Sequence, residues 1–370
     1  MLLATRPTSD RSWRPRKADL FRAAGLAITI LVTSGSAWAQ GDDLLRMKDG
    51  RELRGRVVSE RFDRLNFSMR RGASTSIDWN DVADIDYHAP QPYSDAVALH
   101  SAGLWKDALD AFSTVREIKD LRRPLQQETL YYVALLRKQL GDLQGATDGF
   151  RELLEDFPTG RYLRQATRGL VLGLLAQGQT DDAAAVIGRV ESDAKTLLSD
   201  DRLAAEVVLL HGKVAQAQGR LEEARSRFAD AEANPALQPW DRADASLGVA
   251  RILEATGESE AAEQRYRNIV EGDASPLVLA AAWNHLADVR LEAGRQARDA
   301  SLITDALYGY LRGVVLYVPQ AGDSHDEFHR ALAGAAQCFE YLSQLATDPK
   351  EKALNRRRAA DLRQRLERDE

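Results

Sequence analysis

Residues 141–158, GDLQGATDGFRELLEDFP, decide how this chain folds. Apolar residues recur in them at steps of four, three and four, as Ala146, Phe150, Leu153 and Phe157. This spacing places the four side chains on one face of a helix, not of a strand. Gly141 stands where the preceding segment must turn, because glycine tolerates the left-handed backbone that ends many helices. With Pro158 at its end, the stretch predicts a turn, an amphipathic helix and a stop.

The opening of this stretch, a glycine followed five residues later by an alanine, recurs along the chain. The copies are Gly103 and Ala108, Gly141 and Ala146, Gly178 and Ala183, Gly219 and Ala224, Gly257 and Ala262, and a sixth, interrupted copy at Gly294. These glycines lie 38, 37, 41, 38 and 37 residues apart. Four residues after each of the five alanines stands a large apolar residue: Phe112, Phe150, Ile187, Phe228 and Tyr266. A fixed period of this length predicts a solenoid of helix pairs, in which small and large residues interlock.

The sixth copy adds a signature ahead of its glycine, namely Trp283, Leu286 and Ala287. With it, the repeats over roughly residues 93–320 resemble the tetratricopeptide repeat. The resemblance implies a mostly α protein, a right-handed α-solenoid of helix hairpins that binds a protein or peptide partner on the surface formed by the first helix of each hairpin. The last copy departs from the pattern, because twelve steps instead of five separate Gly294 from its matching alanine. We therefore expect a longer hairpin there, with a protruding insert around Arg295–Leu302.

The resemblance also suggests which residues line the concave surface. Alignment of the repeats by their glycines places ten residues on that side: Glu128, Tyr131, Lys138, Arg168, Lys213, Gln216, Arg251, Glu254, Asn284 and Asp288. They are unlike the lysine and asparagine set with which chaperone-binding members of the family hold a terminal carboxylate. Mixed charge with one tyrosine suits an extended polar segment of another protein. For each residue alone, a merely solvated surface position is the alternative.

A segment with the residue pattern of β-strands precedes the repeats, at residues 42–88. Runs of strand length are separated by turn signals, above all Asp49-Gly50 and the Arg71-Gly72 pair, and Asp-Gly is a strong hairpin signal. The pattern resembles small SH3-like or Sm-like β-barrels, so we expect a β-barrel-like module. Two prolines within residues 89–92 predict the linker to the solenoid.

The first 39 residues have the features of a secretory signal peptide. A basic start leads to an apolar run, Leu26–Val32, and then to small residues that end in Ala37 and Ala39. The run is far shorter than the roughly 20 residues that cross a bilayer, so a transmembrane anchor is not predicted. We expect cleavage after Ala39 and a periplasmic or secreted protein.

The net charge of the chain argues against two classes of partner. Residues 1–39 carry six basic and two acidic residues, so their removal changes the formal net charge from −6 to −10. An acidic chain is a poor candidate for binding nucleic acid or anionic membranes.

The single cysteine, Cys338, lies in an apolar helical run and is expected to be buried as a small hydrophobic residue. The alternative is that its thiol pairs with another molecule or has a redox role.

The search for catalytic chemistry yields one candidate cluster near the start of residues 321–370. His325 and His329 are spaced to share a metal on one helix face, with Glu327 between them, but Asp326 stands where the zinc-protease pattern needs glutamate. Ser324 and Glu327 fit better as a helix capping box. Residues 321–370 as a whole are expected to form C-terminal helices that cap the solenoid, with Leu354, Leu362 and Leu366 on one side.

Two hypotheses of function follow, neither with a cofactor or a catalytic set. In the first, the protein is a non-enzymatic scaffold for protein–protein interactions in the cell envelope. In the second, it is an architectural component of an envelope assembly that docks through its β-module. A metal-dependent hydrolase is a distant third.

Overall fold

The computed structural model describes residues 41–70, 72–194, 201–320 and 324–369. The predicted signal peptide and its cleavage site lie outside the described residues, as does Arg71 of the predicted Arg71-Gly72 turn. The described residues form a small antiparallel sheet followed by fourteen α-helices. None of these helices combines the length and the apolar character that crossing a bilayer requires.

Five strands form the sheet: β1 (Asp43–Met47), β2 (Glu52–Glu60), β3 (Arg64–Met69), β4 (Ser74–Asp78) and β5 (Val82–Asp86). They are antiparallel neighbours in the order β4-β3-β2-β1-β5, and a short 3-10 turn, Trp79–Asp81, joins β4 to β5. Leu45, Val57, Leu65 and Phe67 are fully buried between the strands. Gly50, at φ 89°, makes the turn from β1 to β2. The strand pattern expected within residues 42–88 is confirmed.

The helices follow one another as seven pairs, each joined by a tight turn within the described residues. The pairs are α1 (Gln91–Ser101) with α2 (Trp105–Arg116), α3 (Arg123–Gln139) with α4 (Leu143–Asp156), α5 (Leu163–Ala176) with α6 (Thr180–Ala194), α7 (Asp201–Ala217) with α8 (Leu221–Ala233), α9 (Pro239–Ala255) with α10 (Ser259–Glu271), α11 (Pro276–Ala297) with α12 (Ala300–Leu316), and α13 (Asp326–Leu345) with α14 (Pro349–Asp369). From α5 to α13 the first helices of neighbouring pairs pack against each other more closely than the second helices do. The first helices therefore form the inner layer of a TPR-like solenoid.

The repeated residues do what their spacing predicts. Five of the repeat glycines, Gly103, Gly141, Gly178, Gly219 and Gly257, have φ between 73° and 85° at the turns. The large residue of each second helix is buried, and Phe228 shows how it interlocks. Its ring packs between Gly212 of α7 and Gly248 of α9, and a Cβ on either glycine would lie 2.6 Å from the ring. Phe150 packs against Gly169 of α5 in the same way. One aromatic ring thus joins its own pair to the next.

The sixth copy departs from this arrangement. The longer hairpin expected there forms, with residues 295–301 exposed at its end, but the extra residues around Arg295–Leu302 extend the two helices and form no separate insert. Gly294 lies inside α11 and is buried, because α11 continues for 22 residues. The turn comes instead at Arg298, with φ 51°, and α12 begins at Ala300. The extra residues lengthen both helices, so their amide groups are bonded within helices and no long loop forms.

Two further boundaries differ in detail from the expected ones. Helix α1 begins at Gln91, inside the predicted linker, because proline is tolerated in the first helical turn. In α14, Leu354 is exposed, so its placement beside Leu362 and Leu366 was wrong. Asn355 and Ala359 are buried in its place, since they precede Leu362 at helical spacing. Cys338 is fully buried, and burial raises the pKa of its thiol to about 12.

Candidate functional site

The ten residues predicted to line the inner surface all lie on first helices, but they differ in exposure. Lys138 is exposed, whereas Glu128 and Asn284 are buried. The others are partly exposed: Tyr131, Arg168, Lys213, Gln216, Arg251, Glu254 and Asp288. The structure therefore places eight of them at least partly at the surface.

Arg168 of α5 is the hub of a group of charges that spans three pairs. Its guanidinium contacts both carboxylate oxygens of Glu206 in α7, and Nη2 donates to Asp241 Oδ1 of α9 at 2.7 Å. Both acids are buried. Beside them, Lys213 Nζ lies 2.7 Å from Asp244 Oδ2. The glycine–alanine repeat does not point to Glu206, Asp241 and Asp244, because their role depends on the distance between helices.

A second group joins α9, α11 and α13. Arg251 Nη2 donates to Glu327 Oε1 at 2.5 Å, and Asn284 Nδ2 donates to the other oxygen of the same carboxylate at 2.9 Å. Glu254 Oε2 lies 2.7 Å from His285 Nδ1, and this bond lowers the pKa of Glu254. A parallel contact holds Asp288 of α11 against Arg330 of α13. Charged side chains thus connect the inner layer from α5 to α13.

Most of the predicted surface residues are therefore bonded to side chains of neighbouring helices and do not project freely. For Lys138 and Gln216 the described part of the chain contains no side-chain hydrogen bond or ion pair. Bonded side chains have lost much of their rotamer freedom before any partner arrives, which lowers the entropy cost of binding. The inner layer is a preformed polar surface.

The remaining two predicted residues, Glu128 and Tyr131, belong to a buried cluster at the β-module. Burial raises the pKa of Glu128, although Tyr93 and Tyr162 bond to it. Tyr131 stacks on Tyr162, with ring centroids 4.2 Å apart. The guanidinium of Arg161 lies 4.4 Å above the ring of Trp79 in the β-module.

Glu60, at the end of β2, completes this cluster. Its carboxylate accepts hydrogen bonds from Tyr87 and from Gln127 Nε2, the latter at 2.8 Å, and lies 3.6 Å from Arg161 Nη1. Burial raises the pKa of Glu60 to about 7 against the opposing effect of Arg161. One guanidinium thus faces two buried carboxylates, Glu60 and Glu128.

A separate ion pair anchors the β-module on α3. Arg122 donates to both carboxylate oxygens of Asp43, at 2.9 and 2.7 Å, and Asp43 is fully buried. The same carboxylate accepts from the backbone N–H groups of Val57 and His88. The sheet and the first helix pairs therefore share a buried polar interface.

A cleft that the sequence analysis did not predict opens at the beginnings of α5, α7 and α9. It has a volume of about 400 Å³, and three arginines line it: Arg164, Arg168 and Arg202. The indole of Trp240, 49% exposed, borders it as well. Nothing in the sequence signals this exposure, since large aromatic side chains are usually mostly buried.

The histidine cluster of α13 forms no metal centre among the described residues. Glu327 is bonded to Arg251 and Asn284 instead. The predicted capping box is also wrong, because α13 begins at Asp326 and Ser324 Oγ accepts from the N–H of Asp326. The carboxylate of Glu327 therefore contacts side chains of the inner layer and does not cap the helix.

Comparisons with known proteins agree with this architecture. A tetratricopeptide repeat model matches residues 128–160, which is one helix pair. The apo form of the quorum sensor NprR from B. thuringiensis has 18% sequence identity and a TM-score of 0.52, covering 73% of this chain and 75% of its own. A tetratricopeptide repeat protein from Parabacteroides merdae has 13% identity and a TM-score of 0.46, covering 73% and 100%. MamA from Desulfovibrio magneticus has 16% identity and a TM-score of 0.39, covering 50% and 96%. A comparison with curated proteins finds no match. The similarity to NprR concerns the fold.

Proposed function

We propose that this chain is an exported, non-enzymatic scaffold that holds a partner protein in the cell envelope on the inner layer of its solenoid. The observation that carries the proposal is that layer itself: polar side chains on successive first helices, fixed by bonds between pairs. A surface of this kind suits an extended segment, which makes many side-chain contacts across neighbouring helices. The basic start, the apolar run and the small residues up to Ala39 support export.

The test uses residues 40–370 as bait in an envelope extract of the native host, with two matched variants. Lys138→Glu changes an exposed inner residue, and Arg189→Glu changes an exposed residue of α6, in the outer layer. We expect the unchanged chain and the Arg189→Glu variant to capture a partner that the Lys138→Glu variant does not capture. Equal capture by all three would contradict binding on the inner layer.

The architectural alternative rests on a groove in the sheet of the β-module. Met47, Leu53, Met69 and Ile77 line it together with Arg64, and its volume is about 420 Å³. An envelope component docked there should sediment with membrane or peptidoglycan fractions. The substitution Met69→Glu should then release the protein, while Lys138→Glu should not.

A further inference from the structure

We propose that the partner segment is acidic, and that its side-chain carboxylates bind at the cleft formed by the beginnings of α5, α7 and α9. This inference deepens the proposed function and rests on it. It commits to an extended peptide with internal aspartate or glutamate residues, not to a terminal carboxylate.

The first observation is the distribution of charge between the two layers. Helix α5 of the inner layer carries two arginines and no acidic residue. Its outer neighbours α4 and α6 each carry one arginine and four acidic residues. The outer helices α4 and α6 thus repel an acidic segment, and the inner helix α5 between them attracts it. Charge complementarity of this kind steers encounter and selects partners.

The second observation is the state of the charges in the cleft. Its two acids, Glu206 and Asp241, are already paired with Arg168. Arg164 lines the same cleft, and in the described part of the chain no carboxylate pairs with it. Arg164 is therefore a positive charge at the cleft that no carboxylate of the described residues neutralises.

The third observation is the apolar border. The indole of Trp240 is half exposed beside the arginines. An aromatic side chain gives a peptide backbone or an apolar residue a flat surface to pack on. The arrangement suits a segment in which acidic and apolar residues alternate.

The size of the cleft sets the length of the segment. Packed helices lie about 8–10 Å apart, so three first helices span about 20 Å. An extended peptide advances about 3.3 Å per residue, so about six residues bridge the cleft.

The experiment measures the binding of three fluorescein-labelled ten-residue peptides by fluorescence anisotropy. Each is acetylated and amidated, so that no terminal charge remains, and alternates alanine with glutamate, glutamine or lysine around one central tyrosine. The protein is the chain from residue 40 to 370. We expect the glutamate peptide to bind most tightly, the lysine peptide least, and the affinity for the glutamate peptide to fall as salt concentration rises.

Variants locate the site. Arg164→Glu should weaken binding of the glutamate peptide at least about tenfold, because it replaces an attractive charge with a repulsive one. Arg164→Gln only removes the attractive charge, so its effect should be intermediate. Trp240→Ala should weaken it as well. Arg189→Glu makes the same charge change on an exposed position of the outer helix α6 and should leave the affinity unchanged. Circular dichroism spectra that match the unchanged chain establish that each variant is folded.

Three outcomes overturn the inference. These are equal binding of the glutamine and glutamate peptides, equal loss in Arg164→Glu and Arg189→Glu, and no binding of any peptide. In the first two cases the scaffold function stands and only the acidic partner is excluded. In the third, the capture experiment with Lys138→Glu decides separately whether the inner layer binds a protein at all.

Discussion

Phe228 allows the packing between helix pairs to be tested by a double-mutant cycle. Its ring is 1% exposed and packs against Gly212 and Gly248. Phe228→Ala empties this site and should lower the free energy of unfolding by about 3–5 kcal/mol. Gly248→Ala places a Cβ 2.6 Å from the same ring, and such overpacking should cost about 1–3 kcal/mol.

The two changes should not add. Once the ring is removed, the new methyl group of Gly248→Ala has room. The double variant should therefore lose less free energy of unfolding than the two single variants together, by at least about 1 kcal/mol. Urea unfolding followed by circular dichroism gives the three values. Gly188→Ala is the matched control: Gly188 has open space around its Cβ position in α6, so alanine should stabilise that helix by up to about 1 kcal/mol. Strictly additive losses would show that the ring does not occupy the space against Gly248, and the account of the repeat would fail.

Three further predictions concern the β-module and export. The pKa of Glu60 is raised to about 7, so the folded protein binds a proton at this carboxyl more tightly than the unfolded chain does. Protonation of Glu60 therefore stabilises the fold fully below the unfolded pKa, and this stabilisation is lost as pH rises through about 7. Glu60→Gln should remove this loss, which urea unfolding between pH 4.5 and pH 8 measures, and an identical pH dependence in the variant would refute it. Asp43→Ala removes the fully buried carboxylate that pairs with the partly buried guanidinium of Arg122, and it should cost about 3–5 kcal/mol with faster hydrogen exchange in β1. Arg46→Ala removes an exposed pair with Asp84 and should cost less than about 1 kcal/mol. Mass spectrometry of protein from its native host should find Gln40 at the N-terminus, and an intact cytoplasmic chain would exclude export.

The repeat and the strands could be predicted because their signals are local. A glycine, an alanine five residues later and a large apolar residue four residues after that determine one turn and one helix face, whatever the rest of the chain does. The strand lengths in residues 42–88 depend in the same way on alternation and on turns such as Asp49-Gly50. The sixth copy misled because a glycine at the right period, Gly294, is buried within a longer helix, where close packing against Ile303 explains it.

The connections across the inner layer could not be predicted from the sequence. Arg168 and Asp241 lie 73 residues apart, and Arg251 and Glu327 lie 76 apart, so each pair belongs to helix pairs that are not adjacent in sequence. Whether such side chains meet depends on the curvature of the solenoid, which no single repeat encodes. The alignment by glycines did place Arg168 and Arg251 on the right helices, but it could not supply their partners.

The same two contacts have a mechanical consequence. A solenoid whose pairs touch only their neighbours can stretch like a coil spring, since each joint yields independently. Here Arg168 reaches from α5 to α9 and Arg251 from α9 to α13, so each contact braces three consecutive pairs. Uncoiling this stretch requires both of these contacts to break in addition to the contacts between neighbouring pairs, so the arc from α5 to α13 should resist bending more than a solenoid without them.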